Sequence, residues 1–375
     1  MDISKQPLRF DQAVLTTFAP IQLPRPFYDS TGGPFDFVPM SHWIQFYDGD
    51  GACGQAPCSS LMAEAILPLI MTGETKSYDQ WYQMVYWKLR NRGFSSEAIS
   101  EFGRFDLALH DLMAQKAGLP LHRFWGADRD WVQVYGSAGG TNLTDKELSE
   151  EIAGLLEDGY TVIKMKIATN FGTEIERDIR RIAMIRKLVG EDIKLAIDAN
   201  QCWDAKQALE FAERVSEYNL AWFEEPVHSA DFDELGKLIK ACPIPVSMGE
   251  SMRTHFMFEE YAKLGVAHLQ PVPSSMGGIR EWFRIRDIAQ EYGLTFTSGG
   301  FSQITASYVA AAPDTAMVEY LTPIMKSFAA IMKVAPEEKN GKFYLPSKPG
   351  LSVELDWKLL EKRGLLLKKE YFYSR

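Results

Sequence analysis

From residue 131 onward, short apolar segments alternate with amphipathic ones. The apolar segments are typical of buried strands and cover 131–138, 161–167, 193–200, 220–226, 244–250, 267–272, 294–300 and 316–321. Helical patterns separate them, for example 174–190, where Ile175, Ile179, Ile182 and Ile185 form one apolar stripe. Eight strand-helix repeats, without a glycine-rich nucleotide-binding motif, predict a closed parallel barrel of the α/β class over residues 131–340.

The first 130 residues have a different pattern and predict an α+β capping domain. Residues 95–118 carry apolar side chains at helical spacing and end at a glycine, and a strand from residue 42 meets a turn at 48–51. Proline and glycine crowd residues 20–39, which predicts a long loop, a lid near 16–40. Residues 341–375 follow a turn at Asn340-Gly341 and are expected to pack back on the cap.

Composition narrows the class of partner. The 375 residues include 40 basic and 50 acidic side chains, a formal charge of −10, and 46% of them are hydrophobic. A negative surface disfavours nucleic acid and anionic membranes, so we expect a small-molecule partner. Four scattered cysteines, no export signal and no apolar stretch long enough to span a bilayer predict a cytoplasmic protein.

Two lysines lie on one face of the second predicted barrel strand. Residues two apart in a strand share a face, so Lys164 and Lys166 point together while the apolar residues between and around them point the other way. The apolar side chains are expected to meet the helices. Both lysines are therefore predicted to face the barrel interior.

The next three strands each end in a carboxylate. Asp198, then Glu224 or Glu225, then Glu250 follow at intervals of 26 residues when the first glutamate of the pair is counted. One strand-helix unit for each acid would bring all three to the carboxyl-terminal mouth of the barrel, where barrel enzymes carry their chemistry.

Three carboxylates that converge in a medium of low dielectric constant require a cation among them. Oxygen ligands without histidine or cysteine favour Mg²⁺. Beside such an ion, Lys166 is predicted to remove the proton next to a substrate carboxylate, and Lys164 behind it to lower its pKa by like-charge repulsion.

Six motifs together resemble the enolase superfamily, and more closely its mandelate racemase-like branch. They are KMK at 164–166, DAN at 198–200, FEEP at 223–226, GES at 249–251, GGI at 277–279 and PGLSVELD at 349–356. The resemblance implies a modified TIM barrel, (β/α)7β, under an α+β cap. It also implies Mg²⁺ ligands at Asp198, Glu224 and Glu250, a base at Lys166 with Lys164 beside it, and a homo-oligomer.

Departures from the family pattern bear on the reaction. Many relatives carry an aspartate at the sixth strand end and a histidine at the seventh, where this chain has Val272 and Gly299, neither of which can transfer a proton. Glu319 matches a family position at the eighth strand and is expected to hydrogen-bond the substrate carboxylate. Asn200, Tyr28 and His42 complete the predicted substrate contacts.

With a base on one face only, β-elimination is favoured over racemisation, because one lysine can take the α-proton and return it to a departing hydroxyl. The first hypothesis is a Mg²⁺-dependent dehydratase of a polyhydroxy carboxylate, an acid sugar. The alternative is an isomerase (cycloisomerase, racemase or epimerase) whose second acid comes from the lid, with Tyr28, Asp29 or His42 as donors. A third reading is a non-catalytic carboxylate binder.

Overall fold

The computed structural model describes residues 5–31 and 33–375. Gly32 of the predicted lid lies outside these residues, and so do residues 1–4. The expected lack of an export signal rests in part on those first four residues. The cap strands are β1 (Pro7–Leu8), β2 (Gln12–Phe18), β3 (Gln22–Phe27), β4 (Phe35–Phe37), β5 (His42–Tyr47), β6 (Cys53–Cys58) and β7 (Lys76–Ser77). The cap helices are α1 (Leu67–Ile70), α2 (Tyr78–Lys88), α3 (Glu97–Lys116) and α4 (Leu121–Phe124).

The barrel follows the cap in the chain. Its strands are β8 (Trp131–Ala138), β9 (Val162–Lys166), β10 (Lys194–Asp198), β11 (Leu220–Glu224), β12 (Val246–Met248), β13 (His268–Leu269), β14 (Thr295–Ser298) and β15 (Met317–Leu321). Its helices are α5 (Asp145–Glu157), α6 (Thr169–Gly172), α7 (Ile175–Val189), α8 (Ala205–Val215), α9 (Phe232–Ile239), α10 (His255–Leu264), α11 (Ile279–Tyr292), α12 (Ser302–Ala310) and α13 (Thr322–Ala329). All eight strands are parallel, and pairing of β15 with β8 closes the cylinder, which confirms the predicted barrel.

The carboxyl-terminal segment contains β16 (Met332–Val334), β17 (Glu337–Lys339), β18 (Lys342–Tyr344), β19 (Glu354–Leu355), α14 (Trp357–Lys362) and β20 (Leu366–Tyr373). The turn at Asn340-Gly341, with φ of 50° and 64°, joins β17 to β18, and β18 pairs antiparallel with β8. The boundary predicted at 340/341 therefore falls inside a hairpin that extends the barrel sheet. Strand β20 pairs with β2 of the cap.

The segment from 16 to 40 is not the long loop that its prolines and glycines predicted. Strand β2 continues to Phe18, and β3 pairs antiparallel with β4, so the segment is mainly a hairpin. Buried Leu23 and Phe27 on β3 anchor this hairpin, and prolines are tolerated there because β3 has a single partner strand. The short stretch between the two strands is what remains of the predicted lid.

Helix α3 joins the cap to the barrel. A Cβ atom added to Gly103 would stand 2.9 Å from the Gly278 nitrogen and closer still to the Met276 carbonyl oxygen, so the helix backbone lies directly on the loop after the sixth barrel strand. The Asp106 carboxylate accepts the Ile279 N–H at 2.8 Å and thereby caps α11. This contact fixes the height of the cap above the barrel mouth. Within the described residues, no helix has the length and apolar character needed to cross a membrane.

Candidate active site

The alternation of β9 directs its two lysines into the barrel. Lys164 and Lys166 are buried, while Ile163 and Met165 pack in the hydrophobic core between strands and helices. The Nζ atom of Lys166 lies 2.6 Å from Asp198 Oδ2.

Lys164 makes three ion pairs deeper in the barrel. Its Nζ atom lies 3.1 Å from Asp198 Oδ2 and 2.7 Å from Glu319 Oε1, and it also pairs with Glu224. Four charged side chains from β9, β10, β11 and β15 thus meet inside the cylinder.

Three acids come together at adjacent strand ends. Asp198 ends β10, Glu224 ends β11 in register with it, and Glu250 follows β12. One carboxylate oxygen from each lies within 4.8 Å of the other two. Such a set of oxygen donors has the chemistry and the spacing to hold a hard divalent cation.

Lys164 and Lys166 do not fully compensate the burial of the three carboxylates of this triad. Burial raises the pKa of Glu224 and of Glu250, despite the nearby lysines. At Asp198 burial acts in the same direction, but the Lys166 and Lys164 ammonium groups outweigh it and hold the pKa below its usual value. Burial thus disfavours the negative charge of two of the three carboxylates, and a divalent cation bound among them would offset this effect.

The predicted effect of Lys164 on the pKa of Lys166 is present, but it does not determine the net shift. Burial lowers the pKa of Lys166, and so does the Lys164 ammonium, as expected from the sequence. The Asp198 carboxylate, at hydrogen-bond distance, acts in the opposite direction together with Glu250 and Glu319, and the pKa is raised above its ordinary value. The sequence pattern alone did not reveal how closely Asp198 pairs with this lysine.

The turn after β10 supplies a hydrogen bond to the carboxylate of only one of the two glutamates of the FEEP motif. Asn200 and Gln201 have positive φ angles, and the Asn200 N–H donates to Asp198 Oδ1 at 2.9 Å. Gln201 Nε2 donates to Glu225 Oε2 at 2.6 Å. Burial, reinforced by Glu250, raises the pKa of Glu225 to about 8. Glu224 belongs to the triad, whereas Glu225 is held beside it by this amide.

A cavity of about 490 Å³ lies above the triad. Of the residues predicted for the site, Lys166, Glu250, Asn200 and Glu319 line it, and Asn200 Oδ1 is buried without a hydrogen-bond partner among the described residues. The cavity wall also includes Asp29 from the cap.

The sixth and seventh strand ends present no acid or base to the cavity. Val272 lines it with its buried side chain. A Cβ atom at Gly299 would stand 2.5 Å from Glu319 Oε2, so the Glu319 carboxylate occupies the space a side chain would need there. Any larger residue at 299 would compete with the Glu319–Lys164 ion pair.

Two predicted substrate contacts are not brought to the cavity. His42 begins β5, which is held between β2 and β6 in the cap sheet, and its Nδ1 atom is hydrogen-bonded to Ser41 Oγ at 2.8 Å. Neither His42 nor Tyr28 lines the cavity. Both were proposed as donors from the predicted lid, but His42 is the first residue of β5 and Tyr28 directly follows β3.

The stretch between β3 and β4 is docked on the barrel mouth. Ser30 is fully buried and its hydroxyl donates to the Ala199 carbonyl at 2.8 Å, while its own carbonyl accepts the Phe171 N–H at 3.1 Å. Thr141 donates its N–H to the Tyr28 carbonyl and its hydroxyl to that of Asp29. These bonds place Asp29 at the cavity wall.

Two arginines at the cavity were missed by the sequence reasoning. Arg104 comes from α3 of the cap, and Arg253 from the loop after β12. Arg253 follows Glu250 by three residues, a proximity that could have drawn attention to it. Arg104 lies within a helix whose pattern indicated only packing.

Comparison with known proteins agrees with the fold. The profile of the family described as enolase C-terminal domain-like matches residues 147–359. The chain is 29% identical to L-talarate/galactarate dehydratase of Salmonella typhimurium over 78% of this chain and 72% of that protein. It is 24% identical to 3,6-anhydro-alpha-L-galactonate cycloisomerase of Streptomyces coelicolor over 93% and 98% of the two chains.

A solved structure has the same architecture. The crystal structure of the Salmonella typhimurium dehydratase liganded with Mg and L-lyxarohydroxamate superimposes with a TM-score of 0.83 at 23% identity, covering 98% of this chain and 95% of that one. The profile covers more than half of the chain and includes the β9 lysines and all three acids. The chain therefore belongs to the enolase C-terminal domain-like family, in the mandelate racemase-like branch of the enolase superfamily.

Proposed function

We propose that this enzyme of the enolase superfamily is a Mg²⁺-dependent dehydratase of a polyhydroxy carboxylate. One observation carries the proposal: the cavity has a lysine beside three clustered carboxylates on one side, and Val272 and Gly299 at the two strand ends where a second acid/base would stand. A site with one base suits elimination, since elimination requires no proton from the opposite face.

Asp198, Glu224 and Glu250 would hold the Mg²⁺ ion, for which their clustered oxygen donors are suited. When bound, the ion supplies positive charge that neutralises these acids and stabilises the second negative charge developing on a substrate carboxylate. The same neutralisation removes the influence of Asp198 that raises the pKa of Lys166. The structural relative crystallised with Mg is consistent with this choice of metal.

Lys166 performs both proton transfers. Its neutral Nζ takes the proton from the carbon next to the carboxylate, and the electron pair of that C–H bond delocalises into the carboxylate as an enediolate. As the electrons return, the bond to the β-hydroxyl breaks, and the Lys166 ammonium delivers its proton so that water leaves. The resulting enol tautomerises to a 2-keto-3-deoxy acid.

Lys164 and Glu319 support this lysine. Lys164 supplies a second buried positive charge deeper in the barrel, in an ion pair with Glu319 of the cavity wall. Glu319 lines the cavity and pairs with Lys164 at 2.7 Å. Burial raises the pKa of Glu319, but the Lys164 and Lys166 ammonium groups outweigh it and lower the pKa overall. The Glu319 carboxylate would therefore accept hydrogen bonds from substrate hydroxyl groups and would not donate to the substrate carboxylate, contrary to the expectation from the sequence. Asn200, whose Oδ1 has no partner among the described residues, is free to accept a bond from a substrate hydroxyl.

An isomerase is the second candidate, and one observation favours it. Asp29 lines the cavity from the cap, so a carboxyl group is available outside the barrel strands. Its Oδ1 accepts both the N–H and the hydroxyl of Thr31 at 2.7 Å, while its other oxygen accepts no hydrogen bond from the described part of the chain. Cycloisomerisation would need this oxygen to move a proton on the face opposite Lys166.

Proton NMR in D₂O tests the proposal. The Mg²⁺-loaded protein would be incubated with a panel of sugar acids while the α-proton signal and any keto product are followed. We expect loss of the α-proton signal together with formation of a 3-deoxy keto acid. Exchange with inversion of configuration would instead support the isomerase, and Asp29→Asn should then abolish it.

Lys166→Ala is the diagnostic variant, and Lys146→Ala, on the exposed surface of α5, is its matched control. We expect the Lys166 variant to lose both exchange and product formation, by a factor of about 10³ or more, while the control retains both. Full turnover by Lys166→Ala would refute the assignment of the base.

A further inference from the structure

Two arginines line the cavity, Arg104 across the barrel mouth from Lys166 and Arg253 at the neighbouring fifth strand end. Lys166 belongs to β9, the second barrel strand, whereas Arg253 follows the fifth, and the Arg104 Nε donates to the carbonyl of Ser274, after the sixth. In an eight-stranded barrel the second and sixth strands face each other across the mouth. A molecule anchored by one end at Lys166 therefore has its other end directed toward these guanidinium groups.

Both arginines keep donors for a ligand. Arg253 donates from one terminal nitrogen to the Ser251 carbonyl and from the other to Glu97, so each of these nitrogens keeps a second hydrogen, whereas its Nε is buried away from the cavity. Arg104 gives Nε to Ser274 and one terminal nitrogen to Glu101 at 2.8 Å. Its other terminal nitrogen makes no hydrogen bond with the described residues that surround it.

The acids beside the arginines do not cancel their attraction for an anion. Glu97 is largely exposed, so water screens its charge. Glu101 is buried, but its carboxylate is also bound by the Ser59 N–H and hydroxyl, which spread its charge over the cap. A guanidinium group with free donors at a partly enclosed wall is suited to a planar carboxylate.

We propose that the substrate is a dicarboxylate, an acid sugar with a carboxylate at each end, and that Arg253 and Arg104 bind the carboxylate remote from Lys166. The proposal rests on the proposed function for the identity of the reacting end. The cavity, at about 490 Å³, is in the size range for ligands of this kind.

The arginines also act against a monoacid of the same length. A terminal hydroxymethyl group would leave the guanidinium donors without an anionic partner after water has been displaced. Sites built for a charged or hydrogen-bonding group reject analogues that lack it, because the site's own polar groups are then left unpaired. Selectivity between the two classes is therefore expected in both binding and turnover.

Equilibrium binding tests the remote site without requiring turnover. The probes are adipate and 6-hydroxyhexanoate, which have the same chain length, no stereocentres and no leaving group, and differ in one terminal carboxylate. By calorimetry on the Mg²⁺-loaded protein, we expect adipate to bind at least about tenfold more tightly, the effect of one charge-assisted pair.

Substitutions of the two arginines test whether they cause the preference for adipate over 6-hydroxyhexanoate. Arg253→Met should remove it, and Arg104→Lys, which retains the charge beside Glu101, should reduce it through loss of the planar donors. Arg284→Met, on the outer surface of α11 in an ion pair with Glu291, is the control and should leave the preference intact. Equal affinity for the two probes, no binding of adipate, or a preference unchanged by both cavity variants would overturn the proposal.

Turnover separates this proposal from the proposed function. Aldarates and the aldonates of matching configuration would be compared as substrates by the NMR assay. Dehydration of aldonates with equal or greater kcat/KM would overturn the dicarboxylate proposal and leave the dehydratase intact. A tight, arginine-dependent adipate preference without turnover of any acid would retain the dicarboxylate site and refute the dehydratase.

Discussion

The contact between α3 and the barrel loop leads to a prediction about two glycines. Gly103 and Gly154 both lie inside helices, where replacing glycine by alanine is worth about 1 kcal/mol of helix propensity. At Gly154 an added Cβ meets nothing within 4 Å. At Gly103 it would stand 2.9 Å from the Gly278 nitrogen, 3.2 Å from the Met276 carbonyl carbon and closer to its oxygen, all backbone atoms and all inside ordinary contact distance.

Gly154→Ala should therefore stabilise the protein by about 1 kcal/mol. Gly103→Ala gains the same propensity but must push α3 off the barrel loop, and overpacking of this kind costs about 1–3 kcal/mol. The shift also strains the bond from the Ser100 hydroxyl to the Ser275 carbonyl and the cap of α11 by Asp106, each worth about 1 kcal/mol. We expect Gly103→Ala to be less stable than Gly154→Ala by about 2 kcal/mol or more.

Thermal and urea unfolding of the two variants, measured side by side, provide the comparison, because the propensity term is common to both. Turnover is the second readout. Arg104 adjoins Gly103, so displacement of α3 should also lower kcat/KM for Gly103→Ala and leave Gly154→Ala unchanged. Equal unfolding midpoints, together with equal activity, would show that the cap does not depend on this contact.

Three further predictions concern the site and its surroundings. Mg²⁺ should raise the melting temperature of the wild type, and this increase should be absent in Glu250→Gln. EDTA should abolish turnover, and full activity after chelation would contradict the metal site. Gly299→Ala should displace the Glu319 carboxylate and weaken its ion pair with Lys164. We expect kcat to fall while the circular dichroism spectrum stays unchanged. A kcat equal to that of the wild type would mean that Glu319 occupies another position during turnover. Burial, assisted by a nearby guanidinium, lowers the pKa of His110 from 6.5 to about 3. Its stabilising contribution is thus present above pH 6.5 and lost as the pH falls toward 3, so the difference in melting temperature between wild type and His110→Phe should narrow from about pH 7 to about pH 5.

The barrel could be predicted from the sequence because its signals are local and repeated. All eight predicted strand segments contain a strand, and the alternation in β9 placed Lys164 and Lys166 inside the cylinder. The spacing of the three acids required only one strand-helix unit for each, so their convergence followed from topology.

The cap could not be predicted in the same way. The prolines of the β3–β4 hairpin predicted a loop. The hairpin forms nevertheless, because Leu23 and Phe27 are buried against residues distant in the sequence. Arg104 reaches the cavity only because Gly103 lets α3 approach the barrel, a tertiary relation that helical periodicity does not encode. The raised pKa of Lys166 likewise depends on the distance between its Nζ atom on β9 and Asp198 Oδ2 on the adjacent strand β10.

The pairing of β2 with β20 has a consequence for biosynthesis. Strand β2 lies near the amino end of the chain, while β20 follows every barrel strand, so the ribosome releases β20 only after the whole barrel has been made. Until then one edge of β2 has no partner from its own sheet and can pair with another chain. The four-stranded cap sheet is therefore expected to be completed only after the barrel strands have been synthesised, and chaperones are expected to protect the open edge of β2 until β20 emerges.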